Sequence, residues 1–156
     1  MNYWLMKSEP SSFGVEALAA LPKKTTCWDG VRNYQARNML RDTIKTGDRA
    51  FLYHSSCALP GIVAVLKIVR DGYADHSAFD PKHEHFDAAS KQDNPRWFMV
   101  DVQLEHRLTN VITLDALRAH HKNELRDLWL LRPGNRLSVM PVSAAEWKFI
   151  NTLAKR

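Results

Sequence analysis

At 156 residues, 45% hydrophobic and 25% charged, the chain has the composition of an ordinary globular domain, long enough for one core without a disulfide or metal staple. The longest apolar run, Ile62 to Leu66, is too short to cross a bilayer, and Met1 to Met6 lacks the basic head of a signal peptide. Membrane, secreted-scaffold, fibrous and disordered classes are thereby excluded, and the net charge of +5 fits an anionic partner, nucleic acid first.

That charge is diffuse. Residues 1–78 hold ten basic against seven acidic groups, and residues 79–156 hold twelve against ten. Such a spread argues against coating of long duplexes and leaves room for a localised pocket or groove. Cys27 and Cys57 have no CxxC spacing, so neither a zinc site nor a disulfide framework is expected, and a reducing cytoplasm is the simplest setting.

In chain order, Tyr3 to Met6 reads as a short strand. Gly14 or Ser12 caps a helix with Val15, Leu18 and Ala19 on one face, and Pro22 stops it. Asp29-Gly30 is a turn feeding a helix from about Tyr34 to Arg41, with Asn33 as N-cap. Gly47-Asp48 and Pro60-Gly61 introduce apolar strands over Arg49–His54 and Ile62–Val69, both suited to a well-covered sheet.

Residues 71–96 read as a long irregular loop rich in Asp, His and Lys, a length that often signals function. Trp97 to Leu104 alternates as a strand, and Leu108–Ile112 is its expected partner. Thr113 caps a helix carrying Leu114 and Leu117. Arg132-Pro133-Gly134-Asn135 is a turn before a strand over Arg136–Val142. Ser143 and Glu146 form a capping box for a terminal helix on which Trp147, Ile150 and Ala154 share a face. The pattern is α+β: helices among mostly antiparallel strands, in a closed or nearly closed sheet forming one domain over 1–156.

No nucleotide-binding glycine fingerprint, P-loop, HExxH or GxSxG is present. Asp80, His83, His85 and Asp87, with His76 nearby, contain metal-ligating types, but a polar loop favours a solvated segment over a metal site. No cofactor is expected. His54 and Ser55 are neighbours on a strand and point to opposite faces, so they form no dyad.

The segment from Trp28 to Arg41 is richer. Trp28 and Tyr34 flank the Asp29-Gly30 turn and can stack on a nucleobase, while Arg32 offers a planar donor fork for phosphate or a base edge. Asn94-Pro95-Arg96-Trp97 and Arg132 to Arg136 repeat the pairing of arginine, asparagine and a rigid turn, and would make a cationic rim around an aromatic pocket. The plain alternative is a core Trp28 and a solvated arginine face. Trp129 and Trp147 read as packing residues.

Tyr3 to Pro10, Trp28 to Asn38 and Asn94 to Trp97 together resemble the signatures of the EVE domain. Gly47-Asp48 leading to Phe51–Ser55, and Gly134–Val139, extend the resemblance over essentially the whole chain. It implies a PUA-like pseudo-barrel of about five or six strands surrounded by helices, with a pocket for a modified, cytosine-derived base in DNA or RNA. Carried onto this sequence, the pocket would draw on Lys7, Ser8, Glu9, Trp28, Asp29, Gly30, Val31, Arg32, Asn33 and Tyr34. His54, Ser55, Arg96, Trp97, Arg136 and Ser138 would complete it. The leading expectation is a non-catalytic reader of a modified base. Its rivals are an amidohydrolase-like enzyme acting on modified nucleosides through Lys7, Glu9 or His54, and a module for small molecules or proteins.

Overall fold

The computed structural model describes residues 1–154. Six strands form one sheet in the order β2-β5-β4-β3-β1-β6. They are β1 (Tyr3–Ser8), β2 (Thr25–Cys27), β3 (Arg49–His54), β4 (Gly61–Ala74), β5 (Phe98–Thr113) and β6 (Val139–Val142). Four helices accompany them: α1 (Val15–Ala20), α2 (Tyr34–Asn38), α3 (Leu114–Arg118) and α4 (Ala144–Leu153). None is long and apolar enough to cross a membrane.

The central strands are apolar because both faces are covered. Leu5, Met6, Phe51, Leu52, Ile62, Leu66 and Ile68 are wholly buried. Trp4 joins this core and donates its indole N–H to the buried Asp48 carboxylate at 3.0 Å. Trp147 stacks on Tyr3 and Phe51 at centroid distances of 4.5 and 4.0 Å, clamping α4 onto the sheet.

All pairings are antiparallel except β1 with β3, where Lys7 faces Tyr53 and Ser8 faces His54. A parallel pair needs a crossover. Here residues 9–48 supply it, and on the way they lay β2 on the far edge beside β5. The edge strands β2 and β6 do not pair with each other among the described residues, so of the two expected forms the sheet takes the incompletely closed one, and the pseudo-barrel has an open seam.

Other expectations are also revised. Leu108–Ile112 is no partner for 97–104; both belong to β5, which pairs with β4 through a series of register shifts. The polar stretch Glu105 to Arg107 imitates a turn because it lies past the core and is exposed, and Glu105 is the extra residue between two register positions. Strand β4 runs on through Ala74, beyond the expected end at Val69, because its last residues pair with Phe98 to Asp101. The second helix continues from α2 as a π-turn to Thr43, and β6 begins at Val139 rather than Arg136. The three-residue β2 gave no periodic signal at all.

Candidate functional site

The open seam holds a cavity of about 470 Å³. Lys7 and Ser8 at the end of β1, Glu9 beyond them, and Ser138 just before β6 line one side. The Lys7 N–H donates to the Ser138 carbonyl at 2.8 Å, which holds those segments together. Thr26 and Cys27 of β2 and the connector Trp28–Val31 line the other side, and the Trp28 N–H extends the β2–β5 ladder to the Val100 carbonyl at 2.7 Å. Trp28 is 7% exposed, so it serves both the core and the cavity.

The remaining wall comes from His83, Glu84 and His85. Asp75 anchors this strap. Its buried carboxylate accepts from the Gly30 N–H at 2.8 Å, the Arg32 guanidinium at 3.0 Å, and the Ser77 N–H and hydroxyl at 2.9 and 2.6 Å. Burial alone would raise its pKa, but the bonds from Ser77, Gly30 and Arg32 outweigh burial and hold the carboxyl below its ordinary value. Arg32 also donates to the His85 carbonyl at 2.6 Å and to Val31 O at 3.1 Å. Its fork is therefore directed into the strap, where the sequence pointed it at a phosphate or a base edge.

Gly30 has φ +82°, and a Cβ there would lie 2.5 Å from the His85 ring. Only glycine lets the imidazole pack flat on this turn.

The cavity carries both signs of charge: Lys7 against Glu9, Asp29 and Glu84. Burial lowers the Lys7 pKa. The Ser8 hydroxyl and His85 Nδ1 are buried without hydrogen-bond partners. Cys27 sits among carboxylates, and burial followed by Asp29 raises its thiol pKa, which makes it a poor nucleophile.

Ligand atoms of Asp29, His83 and His85 lie within 4.8 Å of one another. However, the His85 N–H donates to His83 Nδ1 at 3.0 Å. With that lone pair engaged, the neutral His83 ring carries its proton on Nε2, 3.9 Å from Asp29, and presents a donor rather than a ligand atom. This face suits hydrogen bonding to a polar heterocycle. In the sequence these histidines read as part of a solvated polar loop, and nothing local ties residue 83 to residue 30.

The other expected site residues lie outside the cavity lining. Tyr34 is 52% exposed and stacks on the buried Trp97 at 4.9 Å, with the Arg37 and Arg32 guanidiniums 5.0 and 5.3 Å from the Tyr34 and Trp97 rings respectively. Trp97 donates its indole N–H to Asp87 at 2.6 Å, and Arg96 lies 3.7 Å from the same carboxylate. His54 Nε2 accepts the Val15 N–H at 3.2 Å, supplying the cap that Gly14 has no side chain to make. Burial, then Arg107, lowers its pKa. The Ser55 N–H donates to the Ser8 carbonyl. Asn33 caps α2 through the Ala36 N–H, and both Asn33 and Arg136 line a neighbouring groove.

Residues 2–153 match the EVE domain. The chain is 48% identical to thymocyte nuclear protein 1 of Danio rerio, over 96% of this chain and 71% of that protein. Its fold superposes on human THYN1 protein in complex with 5-methylcytosine-containing DNA with a TM-score of 0.95 and 43% identity, covering 100% of this chain and 99% of that one. A Pseudomonas putida protein superposes with a TM-score of 0.90 and 45% identity, covering 97% of this chain and 99% of its own.

Proposed function

The chain belongs to the EVE domain family, with its PUA-like fold, and on that premise we propose that it is a non-catalytic nucleic-acid-binding module that takes a modified, cytosine-derived base into the seam cavity. What carries this reading is the cavity itself: a mixed polar pocket walled by Trp28, in a chain that superposes along its whole length on a relative crystallised with 5-methylcytosine-containing DNA.

The energetics agree. Extruding a base costs a few kcal/mol, which stacking and hydrogen bonds to its Watson–Crick edge offset. Trp28 supplies the stacking face, worth about 1–3 kcal/mol. The Ser8 hydroxyl, the Asp29 carboxylate and the His83 ring supply acceptors and donors along the edge. Val31 and Phe13 offer apolar surface for an added methyl, which contributes about 1 kcal/mol. Discrimination by a methyl alone is therefore about fivefold, and larger where an oxygenated modification reaches Ser8.

A non-catalytic role is supported by the engagement of His54 as a helix cap and by the raised Cys27 thiol pKa. The two free cysteines fit a reducing compartment such as the cytoplasm.

The test is a binding screen of oligonucleotides carrying cytosine, 5-methylcytosine or 5-hydroxymethylcytosine, in DNA and RNA, against the wild type and Trp28→Leu. Preference for a modified base, lost in Trp28→Leu, is the expected result. Equal binding of all probes, or turnover of acylated nucleosides, overturns the reading.

A further inference from the structure

Beside the cavity lies a groove of about 380 Å³ that the base pocket does not use. It is formed where the turn 132–136 faces the start of α2, and its side chains include Asn33, Gln35, Trp129, Arg132, Asn135 and Arg136. We propose that this groove is the track for the phosphodiester backbone of the strand whose base occupies the cavity, a proposal that rests on the base-reading function above.

Three observations carry it. The first is continuity. Val31 lines the cavity and Asn33 the groove, while Ser138 lines the cavity and Leu137 the groove. The same two chain segments thus pass from one depression into the other, and a nucleotide whose base is in the cavity has its sugar and phosphate at their shared rim.

The second is charge. Among the described residues no carboxylate lines the groove, whereas Glu9, Asp29 and Glu84 line the cavity and repel phosphate from it. Arg32, Arg41, Arg49, Arg96 and Arg107 are each within 4.0 Å of a carboxylate. Arg132 and Arg136 are exposed and form no such pair among the described residues. Their guanidiniums keep the donor fork that fits a phosphate.

The third is preorganisation. The Arg132 guanidinium lies 4.5 Å from the Trp129 ring centroid. Asn135 donates to the Trp129 carbonyl at 2.6 Å and accepts the Leu137 N–H at 2.9 Å, and Gly134 at φ +75° makes the turn possible. The arginines are thus presented by a loop whose shape is already set, so less side-chain freedom is lost on binding.

The experiment compares the wild type, Arg132→Gln/Arg136→Gln, the charge-matched control Lys122→Gln/Arg126→Gln, and Trp28→Leu. Each is titrated with a single-stranded 12-mer bearing one 5-methylcytosine, with its unmodified counterpart, and with free 5-methyldeoxycytidine, across a series of NaCl concentrations. The groove variant is expected to bind both oligonucleotides about tenfold more weakly at ~0.1 M salt, with the slope of log K against log salt shallower by about 1.4. Its preference for the modified base and its affinity for the free nucleoside stay at wild-type levels. An unchanged slope, or the same loss in the charge-matched control, overturns the groove. Failure of the wild type to prefer the modified base overturns the base-reading function instead, and the slope comparison then still decides whether the groove holds a backbone.

Discussion

On one side of the cavity, Lys7 and Ser8 project from β1, a strand paired on both edges and backed by Leu5, Phe51 and Leu66, none of which reaches solvent. On the other side, His83 and His85 hang from a segment with little regular structure, tied to the fold through Asp75 and Arg32. The first wall is held by area removed from water, a force that is non-directional and shared among many residues. The second is held by a handful of directional bonds converging on one buried carboxylate. The sheet wall should therefore fail only with the whole fold, and the strap should fail alone, at single positions and in acid.

The largest expected effect tests the sheet side. Leu66→Ala should cost about 4 kcal/mol of global stability, measured by urea denaturation, with one cooperative transition and little dependence on pH between 4 and 8. Independent loss of the strap before the sheet unfolds in this variant would break the comparison.

Asp75→Ala should cost about 3 kcal/mol, because it leaves the Arg32 charge without its carboxylate and the Gly30 N–H unpaired in a half-buried site. The loss should register as rapid hydrogen exchange and proteolysis within residues 76–96 while the sheet amides stay protected. The same contact can be titrated. A carboxylate whose folded pKa is depressed stabilises fully above its unfolded pKa, near 3.9, and loses that contribution as pH falls through the folded value. Strap protection in the wild type should thus hold from pH 7 down to about 4.5 and fall in more acid solution. The gap between wild type and Asp75→Asn should narrow over the same range.

Gly30→Ala comes next, at about 2 kcal/mol, from a positive φ and a Cβ driven into the His85 ring. Crystallography or exchange should show the strap displaced and the sheet unmoved. Ser8→Ala is the smallest change. Its hydroxyl is buried without a partner, so stability should stay level or rise slightly, while affinity for the modified oligonucleotide falls by about 1 kcal/mol, read by calorimetry.

Much of the fold was legible because its signals are local. Asn33, Thr113 and Ser143 each accept the backbone N–H three residues on, as their spacing implied. The strand over Arg49–His54 falls on the residues where the apolar run placed it. Half of the expected pocket residues, those of Lys7–Glu9, Trp28–Val31 and Ser138, do share one cavity. Tyr34, with its ring on Trp97, and His54, beneath α1, occupy other surroundings because each found a partner far along the chain.

By itself, then, the sequence determined the strand over Arg49–His54, the caps at Asn33, Thr113 and Ser143, and the resemblance that marks the pocket segments, since all of these are written in spacings of a few residues. Only the tertiary structure decided that the barrel stays open, that the opening is the cavity, and that the 83–85 strap, held from behind by Arg32, forms part of its wall. The reason is separation along the chain. Arg32 meets Asp75 across 43 positions and His85 across 53, and no periodicity in a sequence encodes which distant polar groups will be buried together.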